Sequence, residues 1–117
     1  MSSMESQDSP VREVRWIGRY AVVDVEGDID LSRSARFQQS LLEVMDGDPE
    51  RIVVNLAAVN YMDSSGVASL VKLLSRSRKQ GVALRLSGLC QRVRSIFEIT
   101  RLDSVFEICS TEEEALA

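Results

Sequence analysis

Residues 51–59, "RIVVNLAAV", run directly into residues 60–74, "NYMDSSGVASLVKLL". Ile52, Val53 and Val54 are consecutive, so this strand is apolar on both faces, as a central strand covered from two sides must be. In the second segment Val67, Leu70, Val71 and Leu74 recur at i, i+3, i+4 and i+7, the spacing of one helix face. Gly81 follows as the expected C′ residue, where a left-handed backbone ends a helix. A doubly covered strand feeding a helix through a short loop is a β-α unit. It commits the chain to a layered α/β architecture with parallel strands joined by right-handed crossovers.

The remaining elements fit around that unit. "VREVRW" and "RYAVVDVEG" read as two strands of a leading hairpin turned at Gly18, with Ala21, Val23 and Val25 on one face and Asp24 and Glu26 on the other. After the loop "GDIDLS", Phe37, Leu41, Val44 and Met45 mark a helix for which Ser32 is the expected N-cap. "DGDPE" stops it. "VALRLS" alternates as a strand, "LCQRVRSIF" places Leu89, Val93, Ile96 and Phe97 on a helix face, and "SVFEI" reads as a short last strand. "TEEEALA" opens with Thr111 and has Glu114 three residues on, the signature of a capping box. The expected order is β-β-α-β-α-β-α-β-α, a mixed sheet with a leading β-hairpin. Residues 1–10, polar and ending in Pro10, are expected to be a disordered extension, and residues 11–117 a single domain.

Composition removes several function classes. The 117 residues carry 14 basic and 18 acidic side chains, a formal charge of −4, which does not suggest binding to a phosphodiester backbone; "RSRK" at 76–79 and "QRVRS" at 91–95 still leave room for a local basic patch, though such runs are usually solvated helix faces. Aromatics make up 5%, too few for a base-stacking platform. The chain has no histidine, so Ser-His-Asp and Cys-His nucleophiles and Cys/His zinc sites are excluded. Cys90 and Cys109 stand alone and read as reduced thiols. No P-loop, G-x-G-x-x-G or G-x-S-x-G motif occurs. A phospho-aspartate receiver needs a lysine at a later strand end, and both lysines, Lys72 and Lys79, fall in the helix after Asp63. Neither a secretory leader nor an apolar run of about 18 residues is present, so the expectation is a cytoplasmic chain without membrane insertion.

What remains is the junction "MDSSG". A β-α loop lies at the next helix's N-terminus, where free N–H groups and the helix dipole favour negative charge, including a phosphate. Asp63 or Ser64 can cap that helix, Gly66 permits close approach, and two short hydroxyls are presented at its start.

"EGDIDLSRSARFQQSLLEV", "RIVVNLAAVNYMDSSGVASLVKLL" and "GVALRLSGLCQRVRSIFEITRLDSVFEI" together resemble the STAS domain family, most of all bacterial anti-sigma factor antagonists. The likeness spans about residues 14 to 116. It implies a mixed sheet with about four helices, mostly on one face. It implies a non-enzymatic regulator of sigma-factor-dependent transcription, switched by phosphorylation. The partner is then an anti-sigma factor that is itself a serine kinase and holds the ATP, and a phosphatase reverses the modification. By motif position the acceptor is Ser65, with Ser64 its runner-up. Asp30, Asp63, Ser64, Ser65 and Gly66 form the partner-binding edge, without cofactor or metal. The alternative within the family is an adaptor or accessory subunit of a transporter or signalling scaffold.

Overall fold

Local sequence sets the elements of the structure, a computed structural model that describes residues 9–117. In chain order they are β1 (Val11–Ile17), β2 (Tyr20–Glu26), α1 (Leu31–Met45), β3 (Arg51–Ala58), α2 (Ser64–Gln80), β4 (Ala83–Ser87), α3 (Gln91–Ile99), a 3-10 turn (Leu102–Ser104), β5 (Glu107–Cys109) and α4 (Glu112–Leu116). Gly18, at φ 61°, makes the β1–β2 turn that a side chain would strain. Gly81 ends α2 at φ 71°, and the Val82 N–H reaches back to the Ser77 carbonyl at 2.8 Å, the longer bond of a Schellman motif.

The sheet order is β1-β2-β3-β4-β5, with β1 antiparallel to β2 and every later pair parallel. β3 is central, and its apolar run divides as the sequence requires. Ile52 and Val54 enter the main core with Phe37, Leu41, Leu70, Leu73, Val93 and Phe97, so α1, α2 and α3 share one face. Val53 points the other way, against Val22 and Ala115, where among the described residues α4 covers the sheet.

That second cover is small and is tied down by polar contacts. Arg15 bonds Asp24 through Nε at 2.7 Å and Glu112 through Nη2 at 2.6 Å, while Asn55 donates to Glu112 at 3.1 Å. The Arg15 bond holds the Asp24 carboxyl below the usual carboxylate range, against the opposing effect of its partial burial. Arg51 and Arg85 both donate to the Ala115 carbonyl, at 3.0 and 3.1 Å, placing cations at the C-terminal end of α4.

Four details differ from the sequence reading. Asp30, not Ser32, is the N-cap of α1. Val71 is 39% exposed while Leu73 is fully buried, because the inward stripe of α2 centres on Leu70 and runs through Val67, Leu73, Leu74 and Ser77. β5 begins at Glu107, since Ser104 belongs to the 3-10 turn and Phe106 turns inward to meet Phe97 edge-on at 5.5 Å. Pro10, assigned to the extension, is buried and its carbonyl accepts the Glu26 N–H at 2.9 Å; residues 1–8 lie outside the described residues.

Candidate functional site

Two loops leave the C-terminal edge of the sheet side by side, one after β2 and one after β3. Gly27, at φ 90°, ends β2, and Arg33 steadies the loop by donating to the Asp28 carbonyl at 2.7 Å. Backbone bonds then join the loops: Ile29 N–H to the Tyr61 carbonyl at 2.9 Å and Asp63 N–H to the Ile29 carbonyl at 3.1 Å. These make a parallel bridge between Ile29 and Met62, whose side chains are both buried.

One residue beyond each bridge partner stands an aspartate, and each caps a helix. Asp30 Oδ1 accepts the Ser32 N–H at 3.0 Å and the Ser32 hydroxyl at 2.6 Å. Asp63 Oδ1 accepts the Ser65 N–H at 2.9 Å, the Ser65 hydroxyl, and the Gly66 N–H at 3.4 Å. The same Asp-x-Ser arrangement therefore starts two neighbouring helices. Ser69 ties their first turns together, because its hydroxyl lies 3.1 Å from both the Ser34 and Ser65 carbonyls.

Both carboxyls are held below the usual range. For Asp63 the Ser65 hydroxyl is the main cause, with the Ser65, Gly66 and Leu31 N–H groups adding to it. For Asp30 the Ser32 hydroxyl leads, and the negative charge of Asp63 works in the opposite direction. Two ionised carboxylates thus face solvent close enough to sense each other. Between and beside them Ser64 is exposed, Ser65 is half-buried and Gly66 is buried.

Gly66 is required for space rather than for backbone freedom. A Cβ there would lie 2.6 Å from Met62 Cγ and 2.8 Å from Ile29 Cγ2, the two side chains of the bridge. Alanine would favour the helix by about 1 kcal/mol. Crowding a packed junction costs about 1–3 kcal/mol. The contacts fall on Met62 mid-chain and on the Ile29 branch methyl fixed next to its Cβ, neither of them the far end of a flexible side chain, so crowding outweighs propensity. Gly66→Ala is expected to lose about 1 kcal/mol, lowering Tm by roughly 5 °C in a thermal melt. An unchanged or raised Tm would show that the bridge yields freely.

All five residues singled out from the sequence, Asp30, Asp63, Ser64, Ser65 and Gly66, stand at this one edge. Sequence reasoning gave Ser32 the wrong role and passed over Leu31 and Tyr61, which are 77% and 40% exposed beside the loops. The repeated Asp-x-Ser spacing was the available signal for the paired caps. A groove of about 540 Å³ lies elsewhere, between β1 and α1, lined in part by Val14, Trp16 and Gly47. Among the described residues no cluster of three or more acidic or cysteine side chains is placed to hold a metal. Both cysteines are free thiols. No helix among these residues is long and apolar enough to cross a membrane.

The model of the STAS domain matches residues 12–115. The chain belongs to the STAS domain family. It is 30% identical over 116 residues to the anti-sigma-F factor antagonist RsfB of Mycobacterium tuberculosis, covering 97% of this chain and 92% of the relative. The solved structure of an anti-sigma factor antagonist from Mycobacterium paratuberculosis superposes with a TM-score of 0.82 at 25% identity, over 89% of this chain and 88% of that one. The anti-sigma factor antagonist SpoIIAA in its unphosphorylated form gives a TM-score of 0.74 at 22% identity, over 89% and 91% of the two chains, a likeness of fold. The STAS fold of five strands and four helices is thus shared across these proteins, with the helices distributed as the resemblance implied.

Proposed function

We propose that this STAS domain is an anti-sigma factor antagonist whose binding to a serine-kinase anti-sigma factor is switched by phosphorylation of Ser65. The observation that carries the reading is the Ser65 hydroxyl, held on Asp63 at the start of α2 with a second carboxylate cap beside it. The similarity to RsfB over nearly the whole chain supports the class of partner. SpoIIAA, an anti-sigma factor antagonist of the same fold, is described in its unphosphorylated form.

The geometry explains what a phosphate would do. Esterification removes the hydroxyl proton that Ser65 gives to Asp63 and adds about −1.5 to −2 charges with three acceptor oxygens. The first turn of α2 supplies N–H groups and dipole that tolerate this charge within the domain. A partner surface shaped for a neutral hydroxyl beside Asp30 and Asp63 meets a third anionic group instead. The chemistry belongs to the partner: it supplies ATP and the catalytic base, and this chain supplies the acceptor and the binding edge, acting in the cytoplasm as a non-enzymatic regulator. A phosphatase restores the free serine.

The test mixes the purified chain with ATP and each anti-sigma factor kinase of the source organism and reads intact mass. One added phosphate is expected, lost in Ser65→Ala and retained in Ser64→Ala. Unchanged mass with every kinase would overturn the reading, and loss in Ser64→Ala alone would move the acceptor by one residue.

A further inference from the structure

Leu31 is an apolar side chain in an unusual place. It is the first residue of α1, 77% exposed, and its N–H contributes to holding the Asp63 carboxyl ionised. Ser64 is the first residue of α2. Since Ile29 and Met62 are paired in register and each is followed by its capping aspartate, Leu31 and Ser64 are equivalent positions on adjoining helix starts. Tyr61, 40% exposed, precedes Met62 and accepts the Ile29 N–H through its carbonyl. The switch edge is therefore a pair of ionised carboxylates and a serine pair flanked by two exposed apolar side chains.

An exposed leucine is ordinary by itself. This one is fixed by backbone bonds rather than carried on a mobile stem: the inter-loop bridge and the cap of α1 hold its Cα, so little ordering entropy is lost when something covers it. We infer that Leu31, assisted by Tyr61, is an apolar anchor for the anti-sigma factor kinase, received in an apolar recess of that partner next to its phosphoryl-transfer site. This rests on the proposed function, because a kinase that reaches the Ser65 hydroxyl must lie over the neighbouring first turn of α1. A second copy of this chain is the wrong occupant, since a two-fold contact through this edge would bring the four ionised carboxylates of two identical patches into one interface. A phosphate on Ser65 would then lift the partner away from the anchor, joining charge repulsion to loss of apolar contact.

The test uses the full chain and the kinase that phosphorylates it in the mass experiment. Leu31→Ala is expected to raise KM for this chain, and Kd in titration calorimetry, about tenfold, with kcat unchanged. Tyr61→Ala should raise them several-fold. Leu31→Met, which keeps an apolar side chain of similar volume, should stay within about twofold of wild type. Ile99→Ala is the control, because Ile99 is 81% exposed at the far end of α3 and should leave every value unchanged. Leu31 lies outside the core, so wild-type Tm in these variants is expected and separates lost contact from lost fold. Wild-type KM and Kd in Leu31→Ala would overturn the anchor while leaving the phosphorylation switch standing. Equal losses in Leu31→Ala and Ile99→Ala, or a dimer of the free chain that Leu31→Ala dissolves, would also overturn it. No phosphorylation of the wild-type chain by any kinase would overturn the proposed function and this inference together.

Discussion

Ser65→Asp is expected to bind the proposed kinase partner at least a hundredfold more weakly than wild type while folding normally. The fold is spared because an acidic side chain in the first turn of α2 sits at the positive end of the helix dipole, where it is tolerated or mildly stabilising. Binding is lost for two reasons that act together. The substitution removes the hydroxyl that Asp63 holds in place, and it puts a third carboxylate beside two that are already ionised. A partner surface that packs over this edge must then desolvate the added charge without a counter-ion built for it. A loss of about 3 kcal/mol corresponds to somewhat more than a hundredfold in Kd. Titration calorimetry reads the affinity, and far-UV circular dichroism with a thermal melt reads the fold. Ser65→Ala separates the two effects, since it loses the hydroxyl without gaining charge and should retain most of the affinity. Wild-type affinity in Ser65→Asp would mean that charge at this position is not the switch.

The framework was legible because it depends on local pattern. The Ile52-Val53-Val54 run announced a strand covered on both sides, and the structure supplies both covers, three helices on one face and α4 on the other. Helix faces with several apolar residues in register, such as Phe37, Leu41, Val44 and Met45, were readable for the same reason. The errors come where local rules tie. Aspartate and serine are near-equal N-caps. "DLS" therefore offers two starts for α1, and tertiary pairing of Ile29 with Met62 selects the earlier one. Val71 and Leu73 are both apolar in sequence, and only which face α2 turns toward the sheet decides which is inside.

The site divides along the same line. Asp63, Ser64, Ser65 and Gly66 were legible as a helix start, because capping and dipole are properties of a few consecutive residues. That Asp30 stands beside them could be taken only from the family resemblance. Its physical cause is a parallel bridge between loops more than thirty residues apart in sequence. The steric need for Gly66 was likewise invisible, since it is created by Met62 and Ile29 together. Leu31 could not be distinguished from a core residue by its chemistry alone; its exposure follows from the helix start falling at Asp30.

Phe97→Ala is expected to lose about 3–5 kcal/mol of stability while leaving Ser65, the proposed phosphoacceptor, usable in the molecules that remain folded. Phe97 is fully buried on α3 and meets Phe106 edge-on, with the rings at 85°. Truncation therefore leaves both a cavity and an unpaired ring, the circumstances in which large-to-small changes cost most. Against a total stability of roughly 5–15 kcal/mol for a domain of this kind, most of the chain should still fold at 25 °C. Urea unfolding should show a lower midpoint at an unchanged slope, because the surface exposed on unfolding is nearly the same. The edge that carries Ser65 depends on the Ile29–Met62 bridge and on the first turns of α1 and α2, not on the Phe97 contact. Phosphate incorporation per folded molecule should accordingly match wild type. A folded fraction that is no longer a substrate would show that α3 packing shapes the acceptor loop. A loss of stability below 1 kcal/mol would show that the core closes around the missing ring.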